Sequence, residues 1–239
     1  MEEHNVVINI HIPKTGGSSF KSMLGMVYRN SYLYLNGVNT VESLWNKIKD
    51  LDLTSISCIC GHFPFGVHKY FPNNIRCRYV TFLRDPVDRL LSMWNFNMSS
   101  MRNMDSSYLM DIDNFIRWIN SGERSFTDNG MTRILSNMPE SFVDPITAEV
   151  SNDNFKTART NLSSFYFVGT TETFDLSLRL LSEKLNWKKA VPYQNRIYSY
   201  PNRLTKASLL QYDLDKILSK HKFDVLLWEY RNGFYSNAT

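Results

Sequence analysis

His11-Ile12-Pro13-Lys14-Thr15-Gly16-Gly17-Ser18-Ser19-Phe20 is the stretch from which the rest of the chain can be read. Ahead of it an apolar run, Val6 to Ile12, has strand character and breaks at Pro13. Behind it Phe20, Met23, Leu24 and Val27 recur at i, i+3, i+4 and i+7, the stripe of an amphipathic helix. Strand, tight loop and helix N-terminus therefore follow one another. Backbone N–H groups in such a loop point the same way as the helix's unsatisfied first-turn donors, which makes a seat for a phosphate-sized anion. Around Gly16 and Gly17, Lys14 supplies counter-charge while Thr15, Ser18 and Ser19 supply hydroxyl donors. An ordinary βα turn with polar residues is the competing reading; a lysine and three hydroxyls in one loop favour the anion.

The same grammar recurs. Ser55–Cys60 reads as a second strand, ending at Gly61-His62-Phe63-Pro64, and Arg78–Leu83 reads as a third. After the third, Asp85 suits an N-cap and Pro86 the first helical position, with Val87, Leu90, Leu91 and Trp94 as a buried stripe. Strand–loop–helix repeats predict an α/β fold with a mostly parallel sheet flanked by helices. A short helix is expected at Val41–Lys49, a strand at Phe165–Gly169, and a helix after it with Phe174, Leu178, Leu181 and Leu185 on one face. Two helices close the chain, from about Lys206 to Ser219 and from about Phe223 to Tyr235. Residues 98–150 read as a helical insertion, with helices at Ile112–Asn120 and Met131–Ser136, in what is otherwise one domain of 239 residues.

Composition narrows the function. With 43% hydrophobic and 21% charged residues the chain is globular. A net charge of +4 is too mild for a nucleic-acid binder. The charge is uneven: residues 98–150 carry four basic and eight acidic side chains, so the insertion is acidic. Cys58, Cys60 and Cys77 are few and odd in number, which suits buried thiols rather than a disulfide framework or a metal set. The N-terminal apolar run is short, follows Glu2-Glu3 and ends at Lys14, unlike a signal peptide or a membrane span. Nothing in the sequence sets an oligomeric state.

In a Walker A loop the lysine follows the last glycine and the next hydroxyl holds magnesium. Here Lys14 precedes both glycines, so no metal is expected. Lys-Thr-Gly-Gly-Ser-Ser after a strand resembles the 5′-phosphosulfate loop of sulfotransferases that use PAPS, 3′-phosphoadenosine-5′-phosphosulfate. Such enzymes have a P-loop-containing three-layer fold. Arg84-Asp85-Pro86-Val87-Asp88-Arg89-Leu90-Leu91-Ser92 resembles the family's 3′-phosphate motif, which assigns Arg84 and Ser92 to that phosphate. A guanidinium fork beside a helix N-terminus suits a phosphate on chemical grounds as well. Asp85 is then a cap, and Asp88 and Arg89 lie on the helix surface.

His62, in the turn after the second strand, is the best placed general base, since a neutral imidazole there can take the proton of an attacking hydroxyl. Gly61-His62 also resembles the branch containing heparan sulfate 2-O-sulfotransferase and related carbohydrate sulfotransferases, where a histidine at this place is the base. His68, in the same loop region, is the second candidate. His11 is expected in or beside the sheet, and His4 and His221 in solvent. Phe165 to Phe174 looks like the family's Phe-Val-Gly-x-x-Glu-x-Phe turn. Asn195 to Lys206 is similar in placement to the loop that closes over the adenosine and 3′-phosphate, with Arg196, Ser199 and Arg203 as contacts.

The resemblance implies transfer of a sulfuryl group from PAPS to a hydroxyl, with PAP, adenosine 3′,5′-bisphosphate, as product and Lys14 stabilising the leaving phosphate. The acidic insertion, as acceptor wall, argues for a neutral sugar or small metabolite, with Trp94, Trp118 or Tyr108 for stacking and Asn129 and Arg133 as contacts. Two other classes stay open: a P-loop kinase or NTPase using Mg-ATP, and a nucleotide-binding module without chemistry. The lysine-before-glycine order, and no acidic residue closing the second strand, weigh against the kinase. Without a targeting segment the expected compartment is the cytoplasm; animal relatives are Golgi proteins with an N-terminal anchor, so a lumenal protein whose anchor is missing from this sequence is the alternative.

Overall fold

The computed structural model describes residues 4–38, 40–100, 111–121, 127–138, 148–187 and 203–236. Strand β1 (His4–Ile10) lies at the centre of a five-stranded sheet with β2 (Tyr32–Leu35), β3 (Cys58–Gly61), β4 (Ile75–Leu83) and β5 (Phe167–Thr170), in the order β2-β3-β1-β4-β5. Every pairing is parallel; Ile8 of β1 lies opposite Ile59 of β3 and Tyr79 of β4. A parallel sheet is covered on both faces, which explains why β1 is apolar without alternation. Its Val6, Ile8 and Ile10 pack on one side and Val7 on the other.

Helices α1 (Gly17–Tyr28) and α7 (Phe174–Lys184) cover the Val7 face, through Phe20, Met23, Leu24, Leu178 and Leu181. The opposite face receives α2 (Val41–Ile48), α5 (Gly130–Leu135), α6 (Asn152–Ser163) and α9 (Lys222–Ser236), through Leu44, Ile48, Met131, Ile134, Leu162 and Leu227. Sheet and two helical layers make the α/β arrangement that the sequence predicts. Beside them α3 (Pro86–Ser100), α4 (Ile112–Asn120) and α8 (Gln211–Lys220) build a separate core around Trp94, Phe115 and Ile217.

Topology decides where a ligand can sit. From β1 the chain moves outward to β2 and returns to β3, whereas β4 lies on the other side of β1 and leads to β5. The strand order therefore switches direction between β1 and β4, and ligands of open α/β sheets bind outside the carboxyl ends of the strands at such a point. The loops that follow these two strands carry Lys14 and Arg84.

Several expectations need correction. β2 has no counterpart in the sequence reading, because its four residues are all half-buried and lack period-two contrast. Helix α6 was equally silent: it buries only Ala158 and Leu162, and a capping box between Ser151 and Asn154 starts it. The helix expected from Lys206 is one 3₁₀ turn, Lys206–Ser208, followed by extended Leu209 and Leu210 before α8 begins. Arg89 is not on a surface; it is 1% exposed, with Nη2 3.6 Å from the buried Asp224 carboxylate. His221 is likewise buried, and its Nδ1 accepts from the Asn129 N–H at 3.2 Å. His4 donates to the Ile56 carbonyl at 2.7 Å.

These buried groups tie the middle of the chain to its end. Asp224, on α9, accepts from Met131 N–H, Thr132 N–H and the Thr132 hydroxyl, so it caps α5. Asn129, just before α5, accepts from Phe223 N–H and Asp224 N–H, so it caps α9 in return. Arg133 holds the Asp128 side chain and backbone and the Ala148 carbonyl. Asn129 and Arg133 are therefore structural rather than acceptor contacts. Asp224→Ala removes the carboxylate facing Arg89 and the acceptor of three donors. It should cost about 3–5 kcal/mol, the range for breaking a buried pair, read as a lower urea midpoint.

Candidate functional site

The loop after β1 takes a left-handed backbone twice, at Lys14 (φ +67°) and Gly16 (φ +83°). At Lys14 this is strained for a residue with a side chain. Two rings clamp the glycines. A Cβ on Gly16 would lie 2.9 Å from the Phe174 ring, and one on Gly17 would lie 1.7 Å from Nε2 of His11, so neither position admits another residue without displacing its neighbour. Thr15 is buried and its hydroxyl donates to the Ile12 carbonyl at 2.8 Å. The expected hydroxyl donor at this position is thus engaged inside the loop, and what Thr15 offers an anion is backbone. Ser18 is exposed in the first turn of α1 and Ser19 is buried beside it.

Across the crevice, Arg84 donates from Nη1 to the Lys14 carbonyl at 3.1 Å, so the two anion motifs touch. Neither Lys14 nor Arg84 forms an ion pair with a carboxylate among the described residues. Burial, then the neighbouring Arg84, brings the Lys14 ammonium down to about 8. Burial also lowers Arg84, opposed by the more distant charges of Asp88, Glu172 and Asp85. Lys14 Nζ instead rests 4.1 Å from the centre of the Phe96 ring, a cation–π contact. Ser92 lies half-buried on α3, one helical turn before Phe96.

The junction of β4 and α3 is fixed from several sides. Asp85 caps α3 by accepting from Val87 and Asp88 N–H, both at 3.0 Å, and its other oxygen takes Lys206 Nζ at 2.9 Å. The Asp85 N–H donates to Glu172 at 2.7 Å, and Asn95 exchanges two hydrogen bonds with the Leu204 backbone. The turn from Phe165 to Phe174 is thus a support for both loops: Glu172 holds Asp85, Phe174 packs on Gly16, and Gly169 makes room for Phe82.

On the other side of β1, Gly61 ends β3 where a Cβ would meet the Leu35 carbonyl at 1.9 Å. His11 N–H donates to the Gly61 carbonyl at 2.8 Å, the last backbone rung of the ladder. His62 supplies the next rung with its side chain: Nδ1 lies 2.8 Å from the His11 carbonyl. A carbonyl only accepts, so the proton sits on Nδ1 and Nε2 carries the basic lone pair. Burial, and after it Lys21, holds His62 below the usual histidine range, while the bond to His11 opposes them. His11 and His62 stack, with ring centres 4.2 Å apart and planes 28° apart.

A profile described as "Sulfotransferase family" matches residues 1–231. The chain belongs to the sulfotransferase family. No curated protein matches it. The crevice brings together Lys14, Thr15, Gly16, Gly17, Ser18, Ser19 and Arg84, with Ser92 further along α3 and His62 across β1. His68, on the 3₁₀ turn Val67–Tyr70, is hydrogen-bonded through Nδ1 to the Tyr79 hydroxyl at 3.0 Å, and Tyr79 belongs to the middle of β4, away from its carboxyl end. Arg196, Ser199 and Tyr108 lie outside the described residues, and Arg203 is exposed at the end of the loop. Trp94 cannot stack on an acceptor in this sulfotransferase: it is fully buried, and Trp118 packs against it and Phe115. Phe96, 45% exposed, is the aromatic that stands at Lys14 instead. Its spacing of four residues from Ser92 is the signal that reveals it in the sequence. Among the described residues no group of His, Cys, Asp and Glu is gathered for a metal ion, and no helix is long and apolar enough to cross a membrane.

A lysine whose ammonium is brought down to about 8 by burial and Arg84 makes anion binding pH-dependent. The charged form prevails below about 8 and is lost above it, so affinity for a phosphate-type anion such as pyrophosphate should fall as pH rises through that value. Titration calorimetry from pH 7 to 9.5 reads this, and Lys14→Arg should remove the dependence.

Proposed function

We propose that this sulfotransferase moves the sulfuryl group of PAPS to the hydroxyl of a neutral acceptor, a sugar or a small metabolite. The observation that carries this reading is the pair Lys14 and Arg84: two half-buried cations at one crevice, joined through a backbone carbonyl and without an ion pair to a carboxylate among the described residues. Burial of like charges side by side is unfavourable unless an anion completes the site. A nucleotide with a 5′-phosphosulfate and a 3′-phosphate does so: the first group on the Lys14 loop and the α1 N-terminus, the second on Arg84 and Ser92. The Gly61-His62 turn supports a place beside the carbohydrate sulfotransferases of the heparan sulfate 2-O branch.

In the reaction the acceptor oxygen attacks sulfur in line with the leaving 5′-phosphate. The new S–O bond forms as the bond to the phosphate oxygen breaks; the acceptor proton passes to Nε2 of His62, and the phosphate leaves with its electron pair as PAP. Lys14 and the loop N–H groups stabilise the negative charge that grows on the leaving oxygen. The acidic character of residues 98–150 disfavours a polyanionic glycan, and the Phe96 ring suits the apolar face of a sugar.

Calorimetry with PAP and ATP, each with and without magnesium, tests the donor. PAP should bind without metal, more tightly than ATP, and Arg84→Ala should abolish the preference; preference for Mg-ATP would replace the reading with a kinase. In turnover assays Lys14→Ala should lower kcat by about 10²–10³-fold, equivalent to ~2.7–4 kcal/mol, as for loss of one preorganised donor. His62→Ala should lower kcat by about 10²–10⁴-fold, the usual contribution of a general base, while PAP affinity is retained. Undiminished turnover in His62→Ala would move the base elsewhere.

A further inference from the structure

We propose that the side chain of His11 is the positioning residue for the base: its ring, seated on Gly17 and stacked on His62, fixes the plane in which the His62 imidazole presents Nε2. This rests on His62 as the base of the proposed reaction.

The geometry argues from both sides of the ring. Beneath it, Gly17 leaves no Cβ, and the His11 imidazole occupies that space, 1.7 Å from where the Cβ would be. Above it lies His62, at 4.2 Å and 28°. A hydrogen bond from Nδ1 to the His11 carbonyl restrains the His62 ring at one edge, and the stack restrains it across its face. Hydrogen bonding at Nδ1 does not explain the ring's position, because His11 Nδ1 is buried without a hydrogen-bond partner among the described residues. A buried polar atom left unsatisfied is costly, so what the site uses from this side chain is its flat face.

Charge around the pair has one sign. Lys14 from the loop and Lys21 from α1 face His11, and Lys21, held 3.7 Å over the Tyr34 ring of β2, also faces His62. Burial first, then these cations and His62 itself, keep His11 uncharged, so two neutral rings stack without repulsion. The stack also covers one face of His62 from water, which helps keep that base in its proton-accepting form at neutral pH.

The test compares His11→Phe, which keeps a flat ring without nitrogens, with His11→Leu, which fills space without a flat face. His62 is followed by NMR titration of its ring in histidine-labelled protein without substrate, beside kcat and PAP affinity. In His11→Leu the His62 titration should move up by about half a pH unit as water reaches the ring. Its kcat should fall about tenfold through lost orientation, with PAP affinity kept. His11→Phe should resemble the unaltered protein in all three. In the unaltered protein the His62 Nδ1 proton should be visible and slow to exchange, a signal that needs no variant. Equal behaviour of the Phe and Leu variants, or a rapidly exchanging Nδ1 proton, overturns the proposal. An active His62→Ala enzyme overturns the catalytic reading, and is told apart because the titration shift in His11→Leu would persist.

Discussion

Two positive charges held in one crevice are the constraint from which the rest of this molecule follows. Lys14 and Arg84 come from loops at the ends of neighbouring strands; the arginine donates to the lysine's backbone oxygen, while the lysine's ammonium rests over the Phe96 ring without an ion pair among the described residues. A water-filled cleft would tolerate this easily; a half-buried one does not, and the depressed titration of both groups expresses the strain. The surrounding elements hold the arrangement rather than relieve it. Glu172 approaches Arg84 but binds the Asp85 N–H, and Asp85 is already occupied with its helix and Lys206. The acids near the crevice are thus assigned to backbone and cap, which keeps the cations available for a ligand.

β1 divides the chemistry into two sides. Toward β4 it offers cations; toward β3 it offers two stacked imidazoles. Because a parallel ladder ends in a carbonyl with no further strand to satisfy it, His62 can complete the pattern with a side chain, and that choice also decides its tautomer. His62 is therefore held by a backbone carbonyl and by a neighbouring ring.

Much of this was legible in the sequence because each signal was local. The glycine loop, the Asp85-Pro86 helix start and the Gly61-His62 turn are written in adjacent residues, and the family profile spans them. What was not legible depends on partners far along the chain. Arg89 reads as a surface residue until Asp224 is brought beside it, 135 positions later. Trp94 reads equally well as a stacking surface or as core, and only the packing of α4 decides. β2 and α6 escaped for another reason: edge position and shallow burial leave too few apolar residues for periodicity to register. His11 was seen but not understood, since its role depends on the absence of a side chain at Gly17 and on a ring from another strand.

Asn129 and Asp224 each close the other's helix, which has a consequence for how the protein breathes. Neither helix start can fray by itself, because opening one withdraws the acceptor that the other needs. The amides of Met131, Thr132, Phe223 and Asp224 therefore belong to one cooperative opening unit, though nearly a hundred residues separate them in sequence.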